Sequence, residues 1–549
     1  MRVDPVTLNV VGKALIAVAR EMAANMRRAS YSTVVREARD FSVGVLDPSG
    51  SVVAQAEMIP MQTGGITEAF RSLAAEVDVG SVTPDDAFLV NDPFRGGQHL
   101  QDIFLFTPIF DGDELLAFGA SVAHHVDVGG GMPGLNADAW EVYQEGLRLP
   151  LAPFSVARDW NGGFVEQVIA ANVRVPTQVL GDLNAQFAAN LTASRRIGEL
   201  VARYGRDCLV EVMAELLDYA ERRIRDGIAQ IPDGTYRAEE FLEGTPWGID
   251  RIRIAVAVEV DGTDIRVDFA GTDAQVRANI NSPLASTISA VQAAVRGVLH
   301  EKDIPFNEGC NRPITVAVPF GTVLNPRPPA AVRARMTPTS RAFNAIIRAL
   351  SDAVPERVIG NGFDTTTSVS LSHMDPASGE YGVVIEILGG GWGAGSWHDG
   401  ADALDNPLSN CANVPVEALE VACDYFRVLE FRLTPDSGGP GTFRGGLGFE
   451  RTYASLRDQV EFAAYSDHHR WGARGLFGGG AGSTGAFLLR RPGGEVRELP
   501  CVTGARLDAG DTITIRVGGG GGYGDPARRE PELVERDLCE GRITRWPGR

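Results

Sequence analysis

The segment from Asn91 to Gly131 constrains the fold of this chain more than any other part of the sequence. It contains two apolar runs, residues 103–110 and 115–122, which are rich in β-branched and aromatic side chains and are joined by Asp-Gly-Asp. Such runs around a short glycine turn are typical of a β-hairpin, and we predict one that folds at Gly112. Because a hairpin brings its two open ends together, the residues just outside the runs should be neighbours.

Histidines and aspartates flank both runs at this open end. If residues 112 and 113 form the turn, Asp102 lies opposite Ala123 and His99 lies near Val126. His124 directly follows the second run. The register therefore predicts that polar residues before the first strand and after the second strand converge at one point.

Imidazole and carboxylate groups that converge at one point form the ligand set of a zinc, manganese or iron site. We predict that His99, Asp102 and His124 bind such a divalent metal. Residues three apart on an extended strand face opposite sides, so His99 and Asp102 share a metal only if residues 96–99 turn into the strand, as two glycines there allow. Alternatively, these strand-end residues are satisfied by backbone and water, since no short motif such as H-E-x-x-H is present.

Three other polar residues are candidates for the same site. His125 and Asp127 follow the second strand, where they either support the ligands or are only polar strand-end residues. Asp40 falls on the incoming strand of a second hairpin, which the alternating segment 33–54 predicts around a turn at residues 47–50. Asp40 therefore either lines the site or is a cap or turn carboxylate.

The overall charge excludes some classes of partner. The 549 residues include 51 basic and 71 acidic side chains, a net charge of −20, which argues against binding to nucleic acid or to an anionic membrane. The six cysteines lack a C-x-x-C spacing, so neither a zinc knuckle nor a disulfide framework is indicated, and a reduced cytoplasmic compartment fits. Without an apolar run of about 20 residues or a signal-peptide pattern, we expect a soluble protein.

Periodicity along the rest of the chain predicts an α+β protein of several domains, with mixed or antiparallel sheets, an Ala-rich helical segment and a Gly-rich β-structured C-terminal part. Helices are predicted at residues 8–26, 182–204, 212–224, 286–300 and 340–353, and a further hairpin at 252–269. The predicted domains are residues 1–235, an α/β metal-site domain; 236–360, a mixed α/β domain; 361–526, a Gly-rich β domain; and 527–549, a charged tail.

Three further patterns have competing explanations. Asp182, Gln186 and Asn190 recur every four residues on a predicted helix, which favours a solvated face over the wall of a pocket. The group Asp467–Trp471 contains two histidines and an aspartate, which we interpret as structural or interfacial. Four Gly-rich runs lack the G-K-[ST] of a phosphate-binding loop, so we predict no nucleotide site on this chain.

Motifs along nearly the whole chain resemble those of one family. The patterns N-D-P and G-G-x-H-x-x-D before the hairpin, and H-H-x-D-x-G-G after it, are similar to the B subunit of the ATP-dependent hydantoinases and 5-oxoprolinases. This family is shared with the large subunit of the acetone and acetophenone carboxylases. The resemblance continues in order at residues 40–42, 181–189, 304–309, 324–326, 389–392, 413–417, 437–448 and 518–526.

The resemblance implies a metal held by the His-x-x-Asp pair and the first histidine of the later cluster, which here are His99, Asp102 and His124. It implies a partner of the hydantoinase A type that binds ATP, a hetero-oligomer to which the C-terminal tail contributes, and a small cyclic amide as substrate. Under this resemblance we expect the partner to phosphorylate the amide oxygen and this chain to deliver water to the activated carbon, and we assign the proton transfer to Asp127 or His125.

Three functions compete under this resemblance. The one we expect is the metal-binding subunit of an ATP-dependent cyclic amidase that opens a hydantoin, 5-oxoproline or another lactam. The second is the corresponding subunit of a ketone carboxylase, which a length of 549 residues favours less. The third is a scaffold for the ATP-binding partner without chemistry of its own. Met58 and Gln62 stand where many hydantoinases and oxoprolinases carry histidine, which leaves the substrate and the scaffold open.

Overall fold

The computed structural model describes residues 3–56, 58–245, 247–299, 304–363 and 365–546. Within these ranges it has eleven α-helices and nineteen strands in four sheets, which confirms the α+β class with mixed and antiparallel sheets. None of the helices in these ranges is long and apolar enough to cross a bilayer. The predicted helix end at His300 and the last three residues of the predicted tail lie outside the described residues.

The predicted hairpin lies at the centre of a six-stranded antiparallel sheet. Its strands are β1 (Phe41–Leu46), β2 (Val52–Gln55), β3 (Asp86–Val90), β4 (Asp102–Asp111), β5 (Glu114–His124) and β6 (Pro153–Ser155). They are ordered β2-β1-β5-β4-β3-β6, so the β4–β5 hairpin is flanked on both sides.

Helices cover both faces of this sheet. They are α1 (Pro5–Ala29), α2 (Thr33–Arg36), α3 (Pro60–Glu76), α4 (Val156–Asp159), α5 (Phe164–Asn172), α6 (Pro176–Tyr204) and α7 (Arg206–Ile228). Ile103 and Leu105 face the side of α1 and α6, while Phe104 and Phe106 face α3, because successive strand residues point to opposite sides. Two apolar faces therefore bury the hairpin between helices.

The register of the hairpin differs from the prediction at its open end. The turn pairs as predicted, with Gly112 at a φ of 61°. A β-bulge next to Phe110 then shifts the register by one residue. Asp102 therefore pairs with His124 and not with Ala123. A bulge adds one residue to one strand, and an alternating apolar pattern does not reveal it.

The prediction that residues 33–54 are extended from their start was wrong for the first few residues. Thr33–Arg36 form helix α2, and the hydroxyl of Ser32 caps it by accepting the backbone N–H of Val35 at 3.3 Å. A local cap of this kind outweighs the strand preference of the β-branched residues that follow it. Asp40 lies after this helix and directly before β1.

The prediction of a solvated face for Asp182, Gln186 and Asn190 was also wrong. All three side chains are at most 1% exposed and lie between α6 and the sheet. Asp182 accepts the backbone N–H of Tyr31 at 2.7 Å, and the amides of Gln186 and Asn190 donate to backbone carbonyls of β4. Helical spacing identifies one face of a helix but does not tell what covers that face.

A second sheet follows the long helices. Its strands are β7 (Gly234–Leu242), β8 (Ile252–Asp261), β9 (Asp264–Asp268) and β10 (Ile314–Ala317), ordered β10-β9-β8-β7. Strands β8 and β9 confirm the hairpin predicted at residues 252–269. Helix α9 (Met336–Ala349) packs on this sheet. Helix α8 (Leu284–Gly297) packs against both α9 and α3. The loop before α9, residues 330–335, reaches the open end of the first hairpin.

Two antiparallel sheets form the C-terminal part and share one apolar core. The first contains β11 (Thr367–Met374), β12 (Tyr381–Leu388), β15 (Val460–Tyr465) and β18 (Val502–Leu507). The second contains β13 (Phe426–Leu433), β14 (Phe449–Ser455), β16 (Ala486–Arg490), β17 (Val496–Leu499) and β19 (Thr512–Val517). Two short helices accompany them, α10 (Val416–Ala422) and α11 (Pro531–Cys539).

The Gly-rich runs of this part pack against one another. A Cβ atom on Gly520 would lie 1.9 Å from the carbonyl oxygen of Trp392, so only glycine fits there. Gly520 donates its backbone N–H to Gly446 at 2.9 Å, and Gly391 donates to Gly518 at 3.0 Å. These N–H groups are used within the chain, which is consistent with the prediction that the runs are not phosphate-binding loops.

The end of the chain packs on its own Gly-rich part. Arg529 donates to Asp399 at 2.6 Å and to the buried Asp537 of α11 at 2.7 Å. In the interior, Asp467 accepts from Arg341 at 3.1 Å, which supports a structural interpretation of residues 467–471. The domain boundaries, and a contact of the tail with another chain, remain predictions.

Candidate metal centre

The open end of the β4–β5 hairpin carries the predicted ligands. Asp102 begins β4, His124 ends β5, and the two residues pair directly across the hairpin. His99 lies in a turn before β4, where the backbone N–H of Asp102 donates to the carbonyl of His99 at 3.0 Å. As the sequence predicted, this turn lets side chains three residues apart face the same side. Asp40 joins them because its carbonyl accepts the N–H of His124 at 3.0 Å.

The three predicted ligand atoms converge in the interior. Nε2 of His99 lies 3.1 Å from Oδ1 of Asp102 and 3.1 Å from Nδ1 of His124. Nδ1 of His124 lies 3.4 Å from the same carboxylate oxygen. The side chains of the three residues are almost fully buried. Within the described part of the chain, no other set of three histidine, cysteine or acidic side chains is arranged in this way.

The chemistry of these atoms fits a divalent cation. Oδ1 of Asp102 is buried and has no hydrogen bond of good geometry. Burial lowers the pKa of His99 well below its usual value and lowers the pKa of His124 to about 4. Both rings are therefore neutral near physiological pH, and each has a nitrogen lone pair available for a ligand bond. A carboxylate oxygen and two imidazoles that face one point are the kind of ligands that zinc, manganese and iron bind.

Neighbouring groups orient these ligands. Nδ1 of His99 lies 3.1 Å from the carbonyl oxygen of Arg333 and equally close to the guanidinium of Arg335. The tautomer that donates to the carbonyl presents its lone pair on Nε2, whereas the tautomer that accepts from the guanidinium carries its proton on Nε2. Asp102 uses its second oxygen, Oδ2, to accept from Arg335. Burial alone would raise the pKa of Asp102, but His99 and Arg335 hold it well below its usual value. The carboxylate is therefore ionised with one oxygen free.

Two arginines of the site were missed by the sequence reasoning. Arg333 and Arg335 are buried, and their guanidinium groups lie 3.2 Å and 3.1 Å from Nδ1 of His99. Glu145 holds their loop by accepting the backbone N–H of Arg333 at 2.7 Å. The one available signal was the run A-A-V-R-A-R-M, in which two arginines stand among small apolar residues, because buried arginines need specific partners.

Asp40 is the fourth acidic or imidazole group at this point. Its Oδ2 lies 3.6 Å from Nδ1 of His124, and its Oδ1 accepts from Nε2 of Gln62 at 2.7 Å. Burial and the neighbouring Asp102 raise the pKa of Asp40 well above its usual value. Gln62 thus lies at the site, whereas Met58 is a half-buried side chain packed between two apolar cores.

The structure does not bring His125 and Asp127 into this cluster. Because neighbouring residues at the strand end point to opposite sides, His125 faces away from His124, and its Nε2 contacts Oε1 of Gln186 at 3.0 Å. Asp127 accepts the backbone N–H of Arg174 at 2.6 Å. Both residues are held by structural contacts, so the geometry does not support the proton transfer that we predicted for them.

A cavity of about 20 Å³ adjoins the cluster. It is lined on one side by Asp40, Gln62 and Arg335 and on the other by residues of the C-terminal sheet, including Ser368 and Tyr465. The site therefore lies where the first sheet, the loop before α9 and the C-terminal part meet. The cavity has room for about one water molecule and none for a lactam ring.

Comparison with known proteins agrees with the motifs. The family model described as "Hydantoinase B/oxoprolinase" matches residues 4–526. The chain belongs to the hydantoinase B/oxoprolinase family. This membership confirms the resemblance that the motifs carried.

Several curated relatives in this family cover nearly the whole chain. It is 33% identical to the B subunit of a putative D-/L-hydantoinase of Pseudomonas sp. (strain NS671), over 99% of this chain and 94% of the relative. It is 30% identical to the beta subunit of the caprolactamase of Pseudomonas jessenii, over 99% of this chain and 94% of the relative. The 5-oxoprolinase of Saccharomyces cerevisiae, at 30% identity, matches 95% of this chain but only 42% of its own length.

Solved structures show the same fold. The ATP-dependent caprolactamase from Pseudomonas jessenii superposes with a TM-score of 0.89 at 29% identity, over 99% of this chain and 95% of that chain. The nucleotide-free structure of acetone carboxylase superposes with a TM-score of 0.88 at 19% identity, over 98% of this chain and 78% of that chain. At that identity the second likeness concerns the fold alone.

Proposed function

We propose that this chain is the metal-binding subunit of an ATP-dependent cyclic amidase. It would hydrolyse a ring amide after a partner of the hydantoinase A type has phosphorylated it. The observation that carries the proposal is the convergence of His99, Asp102 and His124 around a buried carboxylate oxygen without a hydrogen bond. A metal triad fits many reactions, so the substrate class rests on relatives named as hydantoinase, caprolactamase and 5-oxoprolinase.

Two components account for such a reaction better than one. An amide carbon is a poor electrophile because the nitrogen lone pair is delocalised onto the oxygen, and phosphorylation of that oxygen creates a leaving group. This chain has no phosphate-binding loop motif. Two relatives are named as subunits, and the yeast 5-oxoprolinase has more than half of its length outside the match. Both facts support a separate ATP-binding component.

His99, Asp102 and His124 would hold a zinc, manganese or iron ion. Bound there, the ion supplies Lewis-acid activation of a water or of a carbonyl oxygen. We place Asp40 as the proton acceptor, because its Oδ2 faces the cluster 3.6 Å from Nδ1 of His124. Gln62 orients that carboxyl by donating to Oδ1, which leaves Oδ2 free.

The shape of the site limits which water reaches the activated carbon. The small cavity beside the cluster holds about one water molecule, so competing solvent is excluded when the walls are closed. A substrate ring is larger than this cavity. The walls formed by α3 and by the C-terminal sheet therefore have to separate before the substrate enters.

The test uses this chain purified together with its ATP-binding partner. Hydantoin, 5-oxoproline, caprolactam and a simple ketone are supplied with ATP, each with and without bicarbonate, and phosphate and organic product are measured side by side. We expect ring opening that depends on ATP and not on bicarbonate. A ketone product that requires bicarbonate would identify a carboxylase instead.

A second experiment separates an enzyme subunit from a scaffold. His124→Ala should leave the complex assembled but stop product formation, because it removes one ligand of the triad. His125→Gln is the matched control, since it alters the next residue, faces the other side of the sheet and keeps a donor for Gln186. Product at the wild-type rate from His124→Ala would show that the chain is a scaffold.

A further inference from the structure

Strand β13 is an edge of the five-stranded C-terminal sheet, and α10 contacts its first half, where Glu420 accepts the N–H of Val428 at 3.1 Å. Within the described residues its one neighbouring strand is β14. Leu429, Phe431 and Leu433 on this strand are 58%, 45% and 42% exposed. The strand contains neither proline nor lysine, and its register shift and charged side chains protect the edge only in part. An apolar edge of this kind is a site for pairing with another strand.

The backbone of β13 offers hydrogen-bonding groups on its free side. Thr434 donates its N–H to the carbonyl of Gly448 on the β14 side at 2.9 Å. In an antiparallel pair the residues alternate between bonding the neighbour and facing away. Phe431 and Leu433 lie three residues and one residue before Thr434. Their N–H and carbonyl groups therefore point away from β14, to the free edge.

The apolar side chains of this edge continue the buried core. The ring of Phe431 packs edge-to-face on Phe449 with centroids 5.0 Å apart, and the guanidinium of Arg451 lies 4.6 Å from the Phe431 centroid. Phe449 and Arg451 are fully buried. Phe431 thus packs on the buried core with one half of its side chain and is exposed with the other. A further strand paired with β13 would cover the exposed half.

We propose that β13 pairs antiparallel with β13 of a second copy of this chain, around a two-fold axis at Phe431, and joins two sheets into one. In this arrangement Phe431 lies opposite Phe431 of the second copy. Glu430 lies opposite Arg432, and Arg432 lies opposite Glu430. The segment E-F-R is self-complementary in charge, as an isologous interface requires.

Charge selects both this register and this occupant. An axis at Glu430 would place two glutamates opposite each other, and an axis at Arg432 would place two arginines opposite each other, which is unfavourable. The axis at Phe431 gives two Glu430–Arg432 contacts. Within one chain Arg432 already lies 2.6 Å from Glu430 and 2.6 Å from Glu450, so pairing extends an existing ion network instead of burying an isolated charge.

The length of the strand sets the strength of the contact. A register shift lies between Val428 and Glu430, so the regular part of the edge spans only residues 430–433. So short a strand pairing falls at the small end of specific interfaces. We therefore expect a reversible dimer whose population rises with protein concentration.

The test uses cysteine cross-linking of the full chain in a Cys539→Ser background, because Cys539 is exposed. Residues 430 and 432 of opposite copies would form a non-hydrogen-bonded pair with Cα atoms about 4.5 Å apart, a distance that a disulfide spans. Glu430→Cys and Arg432→Cys proteins with different tags are mixed and oxidised. We expect a disulfide-linked heterodimer in the mixture and at least about tenfold less of either homodimer.

Sedimentation of the chain supplies an independent measurement. Phe431→Pro removes the N–H that faces the free edge without removing a bond to β14, so it should shift the wild-type dimer to a monomer. We expect this monomer still to unfold cooperatively, at a lower melting temperature because the ring contact with Phe449 is lost. Three outcomes would overturn the proposal: equal cross-linking in the mixture and in each variant alone, a wild-type monomer, or a dimer insensitive to Phe431→Pro. Loss of the ATP-binding partner from Phe431→Pro would likewise assign the edge to that partner.

Discussion

Two adjacent histidines lie on opposite sides of one sheet and have opposite surroundings. His124 faces Asp102 and Asp40, and the carboxylate oxygen nearest to it lacks a good hydrogen bond. His125 faces α6, where its Nε2 contacts Gln186 at 3.0 Å and Asp182 lies nearby. Burial lowers the pKa of both rings. Residue type, burial and protonation are therefore the same on the two sides.

The difference lies in how the polar groups are arranged. On the α6 side, Oδ1 of Asp182 and the amide of Gln186 bond to backbone groups of the sheet and of the segment after α1, and the atoms left without a partner, Oδ2 of Asp182 and Nδ1 of His125, do not form a set of three ligands. On the other side, one ligand atom from each of His99, Asp102 and His124 lies within 4.8 Å of the other two. Convergence of three such atoms marks a candidate site for a cation, whereas burial of titratable residues, or one unpaired buried atom, does not.

The largest expected effect comes from removing the charge of the triad. Wild-type protein should carry about one transition metal per chain, and Asp102→Asn should lower its metal affinity roughly 100-fold or more, since even residues that only support ligands contribute 10–100-fold. Asp182→Asn is the matched control, because that carboxylate is equally buried on the α6 side. Elemental analysis that finds equal metal in wild type and Asp102→Asn would remove the site assignment.

The next largest effect separates the proton acceptor from the ligands. Asp40→Asn should lower product formation by the complex about 100-fold, the lower end of what a general base contributes. Its metal content should stay near that of wild type, because Asp40 lies 3.6 Å from His124, farther than the closest contacts within the triad. If Asp40→Asn loses metal as completely as Asp102→Asn, then Asp40 is a fourth ligand and the base is another group.

A smaller effect is expected from the structural histidine. His125→Ala leaves Gln186 without its partner and creates a cavity beside α6, so the free energy of unfolding should fall by about 2–4 kcal/mol. His125→Gln, which keeps a donor, should lose less. Urea titration measures the stability, and elemental analysis of the folded protein should find wild-type metal content. If His125→Ala had normal stability but lost its metal, His125 would belong to the metal site, and the distinction between the two sides of the sheet would be wrong.

The sequence predicted the side of the sheet that carries His99, Asp102 and His124 better than the side that faces α6. The hairpin, its turn at Gly112 and the triad all follow from local spacing, because a strand period of two and a glycine turn act over few residues. The bulge next to Phe110 changes the register without changing the apolar pattern, so it was missed. The polar face of α6 was misread because a period of 3.6 locates Gln186 on a face but does not name the element that covers it.

The arginines of the site could not be predicted for a related reason. Arg333 lies 234 positions from His99 in the sequence, and the contact exists only because the loop before α9 reaches back to the first sheet. No local pattern encodes such a long-range contact. The family resemblance supplied the ligands, but it named neither the arginines nor Glu145, which anchors their loop.

The smallest expected effect concerns Glu145, which holds the loop that carries Arg333 and Arg335 beside the predicted metal site. Its carboxylate accepts the backbone N–H groups of Val332 and Arg333, and burial raises its pKa from the ordinary 4.5 to about 7. The folded chain thus holds this proton more tightly than the unfolded chain does. The free energy of unfolding therefore falls as the pH rises from about 4.5 to about 7. Above about pH 7 the carboxylate is ionised in both states, and the free energy of unfolding is lowered by the full cost of the buried charge.

Glu145→Gln should remove this dependence, because an amide of the same shape cannot ionise. Between about pH 5.5 and about pH 7.5, the wild-type free energy of unfolding should fall by about 2 kcal/mol relative to that of the variant. Urea titration of both proteins at the two pH values measures this difference. Glu166→Gln is the control, because it changes a surface carboxylate far from the loop and should leave the pH dependence of stability unaltered. Gln98→Glu is unsuitable as a control, because Gln98 contacts Arg335. Parallel pH curves for wild type and Glu145→Gln would show that Glu145 is ionised throughout, and that the three backbone contacts to its oxygens outweigh the burial.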